Sequence, residues 1–384
     1  MMNILMVHPH DIFSQQEPWT VRIRSIAGEF IKKGHKVRLV YFSLNNTAAS
    51  CRISSYGEIK IISLSRRLGI INFLKNIFFV VKLAGWADVV HFQKCFYYAA
   101  IPSLAAGLAK NKHIHYDWDD WETEIYFDSK GQNHLMGMFL SLLERCMPLL
   151  ADTVSVSSKR IEKECLKLGM SKSCIFEGHV GADLKRFNPS NNGEQVKRKY
   201  KIEIPVVLYA GQIHGGQYVE LFIKAASILK ARKTNAVFMI VGGGYRLEEL
   251  KSYSESLNLK NRLIFTGYVE HETVPFYIAA ADVCVACFQR NNITECKSPL
   301  KIAEYLASGK PIVASNVGEV ERMVGDAGIL VEPGNEVSLA NGIERLLNDS
   351  ELRDALSLKA RTRAETKYNW EDTANSLLKA YNSK

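Results

Sequence analysis

Short apolar runs alternate with amphipathic stretches along roughly the first half of the chain. The run at residues 3–7 predicts a buried strand, residues 21–33 predict a helix ended by Gly34, and residues 36–41 predict the next strand. Further strands are predicted at 89–91, 113–116 and 153–156, the last followed by a helix over about 159–168. Such alternation predicts a parallel sheet covered by helices on both faces.

The alternation begins again after a segment rich in Pro, Asn and Gly at 187–195, which predicts a domain boundary. The second set of strands is predicted at 205–210, 236–241, 263–265, 282–286, 311–314 and 329–331, with helices at 219–230 and 246–257. We therefore predict two doubly wound α/β domains, over 1–188 and 189–365, with a ligand cleft between them at the carboxyl ends of the strands.

One predicted helix, within 66–84, is strongly apolar yet carries the cations Arg66, Arg67, Lys75 and Lys82. Its apolar part is shorter than the roughly 20 residues needed to span a bilayer. Bulky apolar residues beside long cationic side chains suit a helix lying on an anionic membrane surface. The alternative is a half-buried helix packed on the first sheet, and the pattern alone leaves both open.

The positive charge of the chain is concentrated at its N-terminal end. The 384 residues carry 49 Lys and Arg against 40 Asp and Glu, and residues 1–115 hold 15 of the former against 5 of the latter. Such a surplus suits a phosphate, a nucleic acid or an anionic membrane as partner, or is a solvated basic face. Because the region lacks an aromatic–basic stacking motif, we expect no nucleic-acid partner.

The eight cysteines are scattered, and we recognise no cleavable signal ahead of them, so we expect a reducing cytoplasm and no disulfide framework. Cys284 and Cys287 form a C-x-x-C inside a predicted strand, where their side chains point to opposite faces. No second Cys or His pair completes a metal site, so two core thiols are expected.

The segment 295–311 has the richest chemistry in the chain. Ser298 is predicted to cap a helix whose first residue is Pro299, and the helix ends near Gly309. Lys301 would then lie in the first turn, where its charge opposes the helix dipole and a bound phosphate would explain it. Glu304, one turn further on, is placed to accept hydrogen bonds from ribose hydroxyls. The alternative is a capped helix with a Lys301–Glu304 pair on its surface.

This segment resembles the nucleotide-binding motif of GT-B glycosyltransferases of glycosyltransferase family 4, through Ser-Pro-Leu-Lys at 298–301, Glu304 and Gly-Lys-Pro at 309–311. Nearly the whole chain is similar to that family, in matching order, at 181–189, 207–211, 240–244, 265–269, 316–318 and 328–334. Trp370 begins a stretch similar to the family's C-terminal helix, so residues 366–384 are expected to pack back on the first domain.

The resemblance implies a GT-B fold and a retaining hexosyltransferase that uses a nucleotide diphosphate sugar, UDP-sugar favoured over GDP-sugar, without metal or other cofactor. Lys301 and the helix N–H groups would stabilise the leaving diphosphate. The implied donor-binding residues are Gly211, Gln212, Gln217, Gly243, Gly244, Thr266, Gly267, Tyr268, Glu295, Ser298, Pro299, Leu300, Lys301 and Glu304. The first domain would bind a glycan or lipid-linked acceptor for cell-surface polysaccharide or glycoconjugate synthesis, at the inner face of a membrane.

Several positions depart from the family pattern. Gln212 and Gln217 stand where the family usually has Arg and Lys, and Cys296 stands where it has the first Glu of a pair, with Glu295 beside it. Residues 14–18 replace the usual glycine pair of the first loop. These departures leave open a second hypothesis, in which the chain is a catalytically impaired GT-B protein acting as a partner subunit.

Four acidic residues, Asp117, Asp119, Asp120 and Glu122, follow a predicted strand of the first domain. Asp119 or Asp120 would contact the acceptor or the reacting carbon, cap the next helix, or help to bind a divalent cation. His91 ends another strand and is expected either to face the cleft or to be a buried structural histidine. A dinucleotide-dependent oxidoreductase is excluded, because the glycines at 242–244 do not complete G-x-G-x-x-G.

Overall fold

A computed structural model describes residues 1–14, 20–43, 52–128, 131–213 and 217–383 of the chain. These residues form two compact units. Unit 1 comprises Met1–His179 together with Trp370–Lys384, and unit 2 comprises Val180–Asn369.

Unit 1 contains an eight-stranded sheet in the order β3-β4-β2-β1-β5-β6-β7-β8. Its strands are β1 (Asn3–His8), β2 (Lys36–Ser43), β3 (Arg52–Tyr56), β4 (Ile59–Ser65), β5 (Val89–Gln93), β6 (His113–Trp118), β7 (Thr153–Val156) and β8 (Ile175–Glu177). All neighbours are parallel except β3, which runs antiparallel to β4 at the edge. The strand order reverses beside β1, and in doubly wound sheets the carboxyl ends of the strands at that point form the ligand-binding edge.

Helices cover both faces of this sheet, as strands that are buried on both faces, such as β1 and β5, require. They are α1 (Val21–Lys32), α2 (Ile70–Ala84), α3 (Tyr97–Lys110), α4 (Glu122–Asp128), α5 (His134–Leu150), α6 (Lys159–Lys167) and the C-terminal α16 (Trp370–Asn382), with a short 3-10 turn at Lys172–Cys174. Helix α16 joins the unit through Thr373, whose hydroxyl donates to His179 O at 2.9 Å, and through the buried Tyr381.

Unit 2 contains a six-stranded, wholly parallel sheet in the order β11-β10-β9-β12-β13-β14. Its strands are β9 (Val206–Ala210), β10 (Val237–Val241), β11 (Leu263–Phe265), β12 (Val283–Ala286), β13 (Ile312–Ser315) and β14 (Gly328–Val331). Its helices are α7 (Glu194–Tyr200), α8 (Gln217–Ala231), α9 (Leu247–Ser256), α10 (Val274–Ala279), α11 (Asn292–Cys296), α12 (Leu300–Ala307), α13 (Val320–Val324), α14 (Glu336–Asn348) and α15 (Ser350–Thr366).

The predicted class, α/β with two parallel sheets, is confirmed. The boundary between the units lies after His179 rather than after residue 188. The reason is that residues 180–188 pack on unit 2: Ala182 N donates to Tyr368 O at 3.0 Å, and the fully buried Phe187 accepts at its carbonyl from Arg361.

Candidate active site

The turns that follow β9 and β10 each begin with a glycine whose backbone conformation disfavours other residues. Gly211 and Gly242 have φ values of +147° and +137°, which side-chain-bearing residues rarely adopt. A Cβ on Gly242 would lie 2.0 Å from Gly211 O, and one on Gly244 would lie 2.2 Å from Ile213 O. The two loops therefore meet backbone to backbone, with Ile213 N donating to Gly243 O at 2.9 Å.

The side chain of Lys301 ends in this glycine turn. Its ammonium nitrogen lies 3.6 Å from the ring centroid of Tyr209, and a Cβ on Gly211 would lie 2.7 Å from it. Among the described residues no carboxylate lies within salt-bridge distance of it. Burial lowers the pKa of Lys301 to about 7. The site thus holds a half-buried lysine that lies against an aromatic face and has no carboxylate partner among the described residues.

Glu304 lies one turn further along α12 and is only 6% exposed. Its Oε1 is 2.8 Å from His271 Nε2, and the other ring nitrogen of His271 is 3.4 Å from an Arg186 nitrogen. The alternative that pairs Glu304 with Lys301 on the helix surface is therefore wrong, because Glu304 is buried and contacts His271 instead.

The predicted helix cap at Ser298 is also wrong. Helix α12 begins at Leu300, one residue later than expected, because Pro299 is extended, with φ −72° and ψ 117°. Ser298 caps nothing, and its hydroxyl lies 3.6 Å from the Met323 sulfur. The N-cap residue is Pro299, and its side chain accepts no hydrogen bond from the N–H groups of the first turn.

The remaining predicted donor residues are spread around the same sheet edge. Thr266 donates its hydroxyl to Gly267 O at 2.8 Å, Gly242 N donates to the same carbonyl at 3.1 Å, and Tyr268 is 53% exposed. Glu295 pairs with Arg290 at 2.7 Å.

The positions that depart from the family pattern have different surroundings. Cys296 is buried and Gln212 is exposed. The side chain of Gln217, at the start of α8, and residues 15–18 lie outside the described part of the chain.

In unit 1 the carboxyl ends of β5 and β6 bring an unpredicted lysine into the acidic cluster. Lys94 Nζ lies 3.3 Å from Asp119 Oδ1 and 3.4 Å from Asp120 Oδ2, and it contacts Glu122. Burial would lower the pKa of Lys94, but these carboxylates outweigh it and raise the pKa well above its usual value. Gln93 also donates to Asp119 at 2.6 Å.

Burial raises the pKa of Asp119 to about 6 and that of Glu122 to about 7, so both carboxyls are harder to ionise than usual. The predicted cap on the next helix is supplied by another residue. The N–H groups of Glu122 and Thr123 donate to the Glu144 carboxylate at 2.7 and 3.1 Å. Neither Asp119 nor Asp120 is therefore the cap of α4.

Asp117 does not belong to this cluster, although it is only two residues from Asp119. It is fully buried in a two-bond pair with Arg22, both bonds 2.8 Å long. Arg22 also donates to the carbonyl of Gly178 at 2.7 Å. Burial would raise the pKa of Asp117, but Arg22 outweighs it and holds the pKa well below its usual range. This pair fixes α1 to the sheet and has a structural role.

The structure places His91 inside unit 1 and not at a cleft surface. Its ring is fully buried, bonds to the Tyr381 hydroxyl at 2.7 Å and stacks on His115 at 5.1 Å between centroids. Burial lowers its pKa to about 4. His91 is thus a neutral structural histidine that joins β5 to α16.

Helix α2 is apolar on its exposed side. Ile70, Ile71, Leu74 and Phe78 are 56–69% exposed, and Lys75 and Lys82 are exposed beside them. Just ahead of the helix, Arg67 is exposed and Arg66 lies over the Tyr98 ring at 5.2 Å. None of the described helices has both the length and the apolarity that crossing a bilayer requires.

Several residues of both sites were missed by sequence reasoning. Lys94, Gln93, Glu144, Tyr209 and His271 are brought to the sites by the fold. The one local signal was Lys94, a lysine directly after the apolar strand β5. It adopts φ +66°, a backbone conformation that is uncommon for lysine.

A family model for glycosyl transferases group 1 matches residues 193–363. The part of unit 2 over residues 193–363 is therefore similar to the glycosyl transferases group 1 family. The predicted family resemblance is confirmed.

Two curated relatives are similar in sequence to part of the chain. It is 28% identical over 190 residues to alpha-D-kanosaminyltransferase of Streptomyces kanamyceticus, covering 49% of this chain and 48% of the relative. It is 29% identical over 208 residues to D-inositol 3-phosphate glycosyltransferase of Paenarthrobacter aurescens, covering 52% and 50%. The chain thus spans about half the length of these two relatives.

Solved structures match the whole chain. Sucrose-phosphate synthase from Thermosynechococcus elongatus matches with a TM-score of 0.77 at 20% identity, covering 99% of this chain and 98% of that one. Anabaena HepE in complex with UDP and glucose matches with a TM-score of 0.76 at 16% identity, covering 100% of both chains. The predicted GT-B fold is confirmed by these likenesses.

The acidic cluster of unit 1 allows a direct test of the divalent-cation hypothesis. Oxygens of Asp119, Asp120 and Glu122 lie within 4.8 Å of one another, a set that suits a hard cation, but the Lys94 ammonium contacts all three. We predict that Mg²⁺ or Ca²⁺ raises the melting temperature of a Lys94→Met variant and leaves that of the wild type unchanged. Lys94→Arg, which keeps the charge, is the control. Stabilisation of the wild type by either ion would contradict this interpretation.

Proposed function

We propose that the protein is a retaining, metal-independent glycosyltransferase that uses a nucleotide diphosphate sugar and needs no other cofactor. UDP-sugar is favoured over GDP-sugar, since the structurally similar HepE is described in complex with UDP and with UDP-glucose. The observation that carries the proposal is the Lys301 ammonium, enclosed at the carboxyl edge of the unit 2 sheet with no carboxylate partner among the described residues.

Lys301 is half-buried, and a cation that has lost part of its hydration is costly unless a negative group compensates it. A diphosphate does so at Lys301, and the N–H groups at the start of α12 add further donors. As the glycosidic bond breaks, negative charge grows on the leaving nucleotide diphosphate. Because the ammonium is already in position, it stabilises that charge without rearrangement of the site. A bound metal ion has this role in other enzymes.

Glu304 is the residue proposed to bind the ribose of the donor. Its carboxylate is held by His271 at 2.8 Å, which leaves further lone pairs on its oxygens for the two ribose hydroxyls. Tyr268 and the turn at Thr266–Gly267 would then contact the base. Glu295, held by Arg290, is proposed to reach the donor sugar from the end of α11.

Unit 1 is proposed to bind the acceptor, a glycan or lipid-linked saccharide of cell-surface polysaccharide or glycoconjugate synthesis. Asp119 is held by Lys94 and Gln93, and Asp120 by Lys94 alone. Asp119, whose pKa is raised to about 6, accepts the proton of the acceptor hydroxyl, and Asp120 orients that hydroxyl.

A catalytically impaired partner subunit is the second candidate function. The absence of Arg and Lys at Gln212 and Gln217 favours it, since only Lys301 remains of the cations expected there. In that case the protein would bind nucleotide sugars weakly or not at all, whereas a working transferase binds them and turns them over.

The donor site predicts that Lys301→Ala lowers the rate of sugar transfer by at least about 100-fold, the usual loss when one stabiliser of a developing anion is removed. Glu304→Ala should weaken UDP binding by about tenfold, since it removes charge-assisted hydrogen bonds. A thermal-shift screen with UDP, GDP, ADP and their sugars, followed by nucleotide-release assays, measures both. Lys251→Ala, at an exposed surface pair of unit 2, is the control.

Near-wild-type turnover in both variants would refute the site. No thermal shift with any nucleotide would favour the partner-subunit hypothesis.

The lowered pKa of Lys301 makes donor binding depend on pH. The diphosphate favours the charged form of Lys301. Above about pH 7 Lys301 is mostly neutral in the free protein, so the protein must take up a proton when the donor binds. The affinity for UDP-glucose, whose diphosphate does not titrate in this range, should therefore fall as pH rises above 7, approaching about tenfold per pH unit. Calorimetric titrations between pH 6 and 9 measure this. An affinity that stays constant would contradict the assignment, and Lys301→Arg, which stays charged, should show no such fall.

We place the protein in the cytoplasm, peripherally bound to the inner face of a membrane through α2. Its exposed apolar residues would enter the interface, and Arg66, Arg67, Lys75 and Lys82 would meet anionic headgroups. Flotation with anionic liposomes should recover the protein, and replacing these four cations with glutamine should lower binding by at least about tenfold.

The matched control for flotation is a pair of exposed lysines elsewhere in unit 1, Lys110 and Lys163. Lys110→Gln with Lys163→Gln should cost less binding than Lys75→Gln with Lys82→Gln. No binding by the wild type, or equal losses in the two pairs, would refute attachment through α2.

A further inference from the structure

Unit 1 contains a cavity of about 730 Å³ next to the carboxyl edge of its sheet. Ser43 is the last residue of β2, Arg66 and Arg67 follow β4, and Phe96 follows β5. A smaller cavity of about 310 Å³ shares the two arginines and adds Asn72. None of the residues proposed to bind the donor or to act on the acceptor hydroxyl lines either cavity.

The walls of the larger cavity are apolar and aromatic. Helices α3 and α5 supply most of them, through Tyr97, Tyr98, Phe139, Leu140 and Leu143. Among the residues that the structure describes, none of those lining either cavity is acidic. The charged side chains of this described lining are the two consecutive arginines.

The position of these arginines is fixed by buried amides of α2. Asn72 Nδ2 donates to Ser65 O at 3.1 Å and to Arg67 O at 2.7 Å, and Asn76 Nδ2 donates to Ser65 O at 2.8 Å. The buried face of the helix thus carries Asn72 and Asn76, which hold the backbone at 65–67, at positions where a helix normally buries apolar side chains. For Arg67, no carboxylate of a described residue lies within salt-bridge distance of the side chain.

A cation beside an apolar, aromatic chamber fits a ligand with an anionic head and an apolar tail. Arginine binds phosphate through two parallel hydrogen bonds, and the tail would gain from leaving water. We propose that this cavity binds a lipid phosphate or diphosphate, with the phosphate at Arg66 and Arg67 and the hydrocarbon chain among Tyr97, Phe139 and Leu143. The inference deepens the proposed function, on which it rests for the role of the ligand, by making the acceptor a lipid linked through phosphate.

The exposed surface around the cavity suits such a ligand. Ile70, Ile71 and Leu74 of α2 and Leu135 and Met138 of α5 are all more than half exposed. A lipid that leaves a membrane through this apolar rim would keep its chain out of water on the way to the cavity.

The test uses the purified full chain and soluble ligands below the concentration at which they form micelles, so that adsorption to a membrane does not contribute. Octyl phosphate is compared by calorimetry with inorganic phosphate, which has only the head, and with octyl glucoside, which has the tail and no charge. Octyl phosphate should bind at least about tenfold more tightly than either, because one charge-assisted hydrogen bond or a short stretch of buried chain raises the affinity by about that factor. Equal affinity for octyl phosphate and inorganic phosphate, or for octyl phosphate and octyl glucoside, would overturn the proposal.

Two variants localise the binding. Arg67→Gln removes the phosphate ligand, and Met136→Trp fills the cavity from a half-exposed wall position that is not part of the core. Each should weaken octyl phosphate binding by about tenfold. Lys163→Gln removes an equal charge from an exposed position of unit 1 outside the cavity, and should change the affinity by less than about twofold. An equal loss in Lys163→Gln and Arg67→Gln would show a diffuse charge effect and overturn the site.

Lys301→Ala separates this proposal from that of the donor site. It should leave octyl phosphate binding unchanged, while Met136→Trp should leave the thermal shift with UDP unchanged. Octyl phosphate binding without any nucleotide binding would refute the proposed transferase and leave the lipid phosphate site standing. Nucleotide binding without octyl phosphate binding would refute the lipid phosphate site and leave the proposed transferase standing.

Discussion

The packing of the Lys301 ammonium against the Tyr209 ring and the Gly211 backbone is the contact on which the site in unit 2 depends. A cation held there needs an anion to compensate its lost hydration. It also needs a turn without side chains, which Gly211 and Gly242 supply at positive φ. At these glycines the space of a side chain is taken by the Lys301 ammonium and by the Gly211 carbonyl.

The two units compensate the charge of their site lysines in opposite ways. Lys94 of unit 1 is surrounded by three carboxylates, and its charge is compensated within the fold. Lys301 of unit 2 has no such partner among the described residues, so its charge is available to a ligand. The cations that make the N-terminal end of the chain basic lie largely at the surface, at Arg67, Lys75 and Lys82. The basic surplus of unit 1 is therefore suited to an external anion, and the proposed donor site relies on one lysine.

Much of the fold was predictable because strand and helix periodicity is local. Five strands of unit 1, all six strands of unit 2 and the position of Lys301 near a helix start followed from the sequence, whereas β3, β4 and β8 were not predicted. The start of α12 was missed by one residue because Pro299 adopts an extended conformation that its sequence neighbours do not reveal. The partners of buried polar groups could not be predicted, since they come from distant segments: His271 holds Glu304 across 33 residues, and Glu144 caps a helix 22 residues away. Such pairings depend on packing and leave no periodic signal.

The central claim, that Lys301 is a half-buried lysine whose charge is kept for an anionic donor, is tested most directly by its own titration. NMR of the protein with ¹³C-labelled lysine, assigned by comparison with Lys301→Arg, measures the pKa of this one side chain. The account predicts a pKa of about 7 in the free protein and a clear rise when UDP is bound. A pKa near the ordinary lysine value of about 10.4 in the free protein, unchanged by UDP, would contradict it.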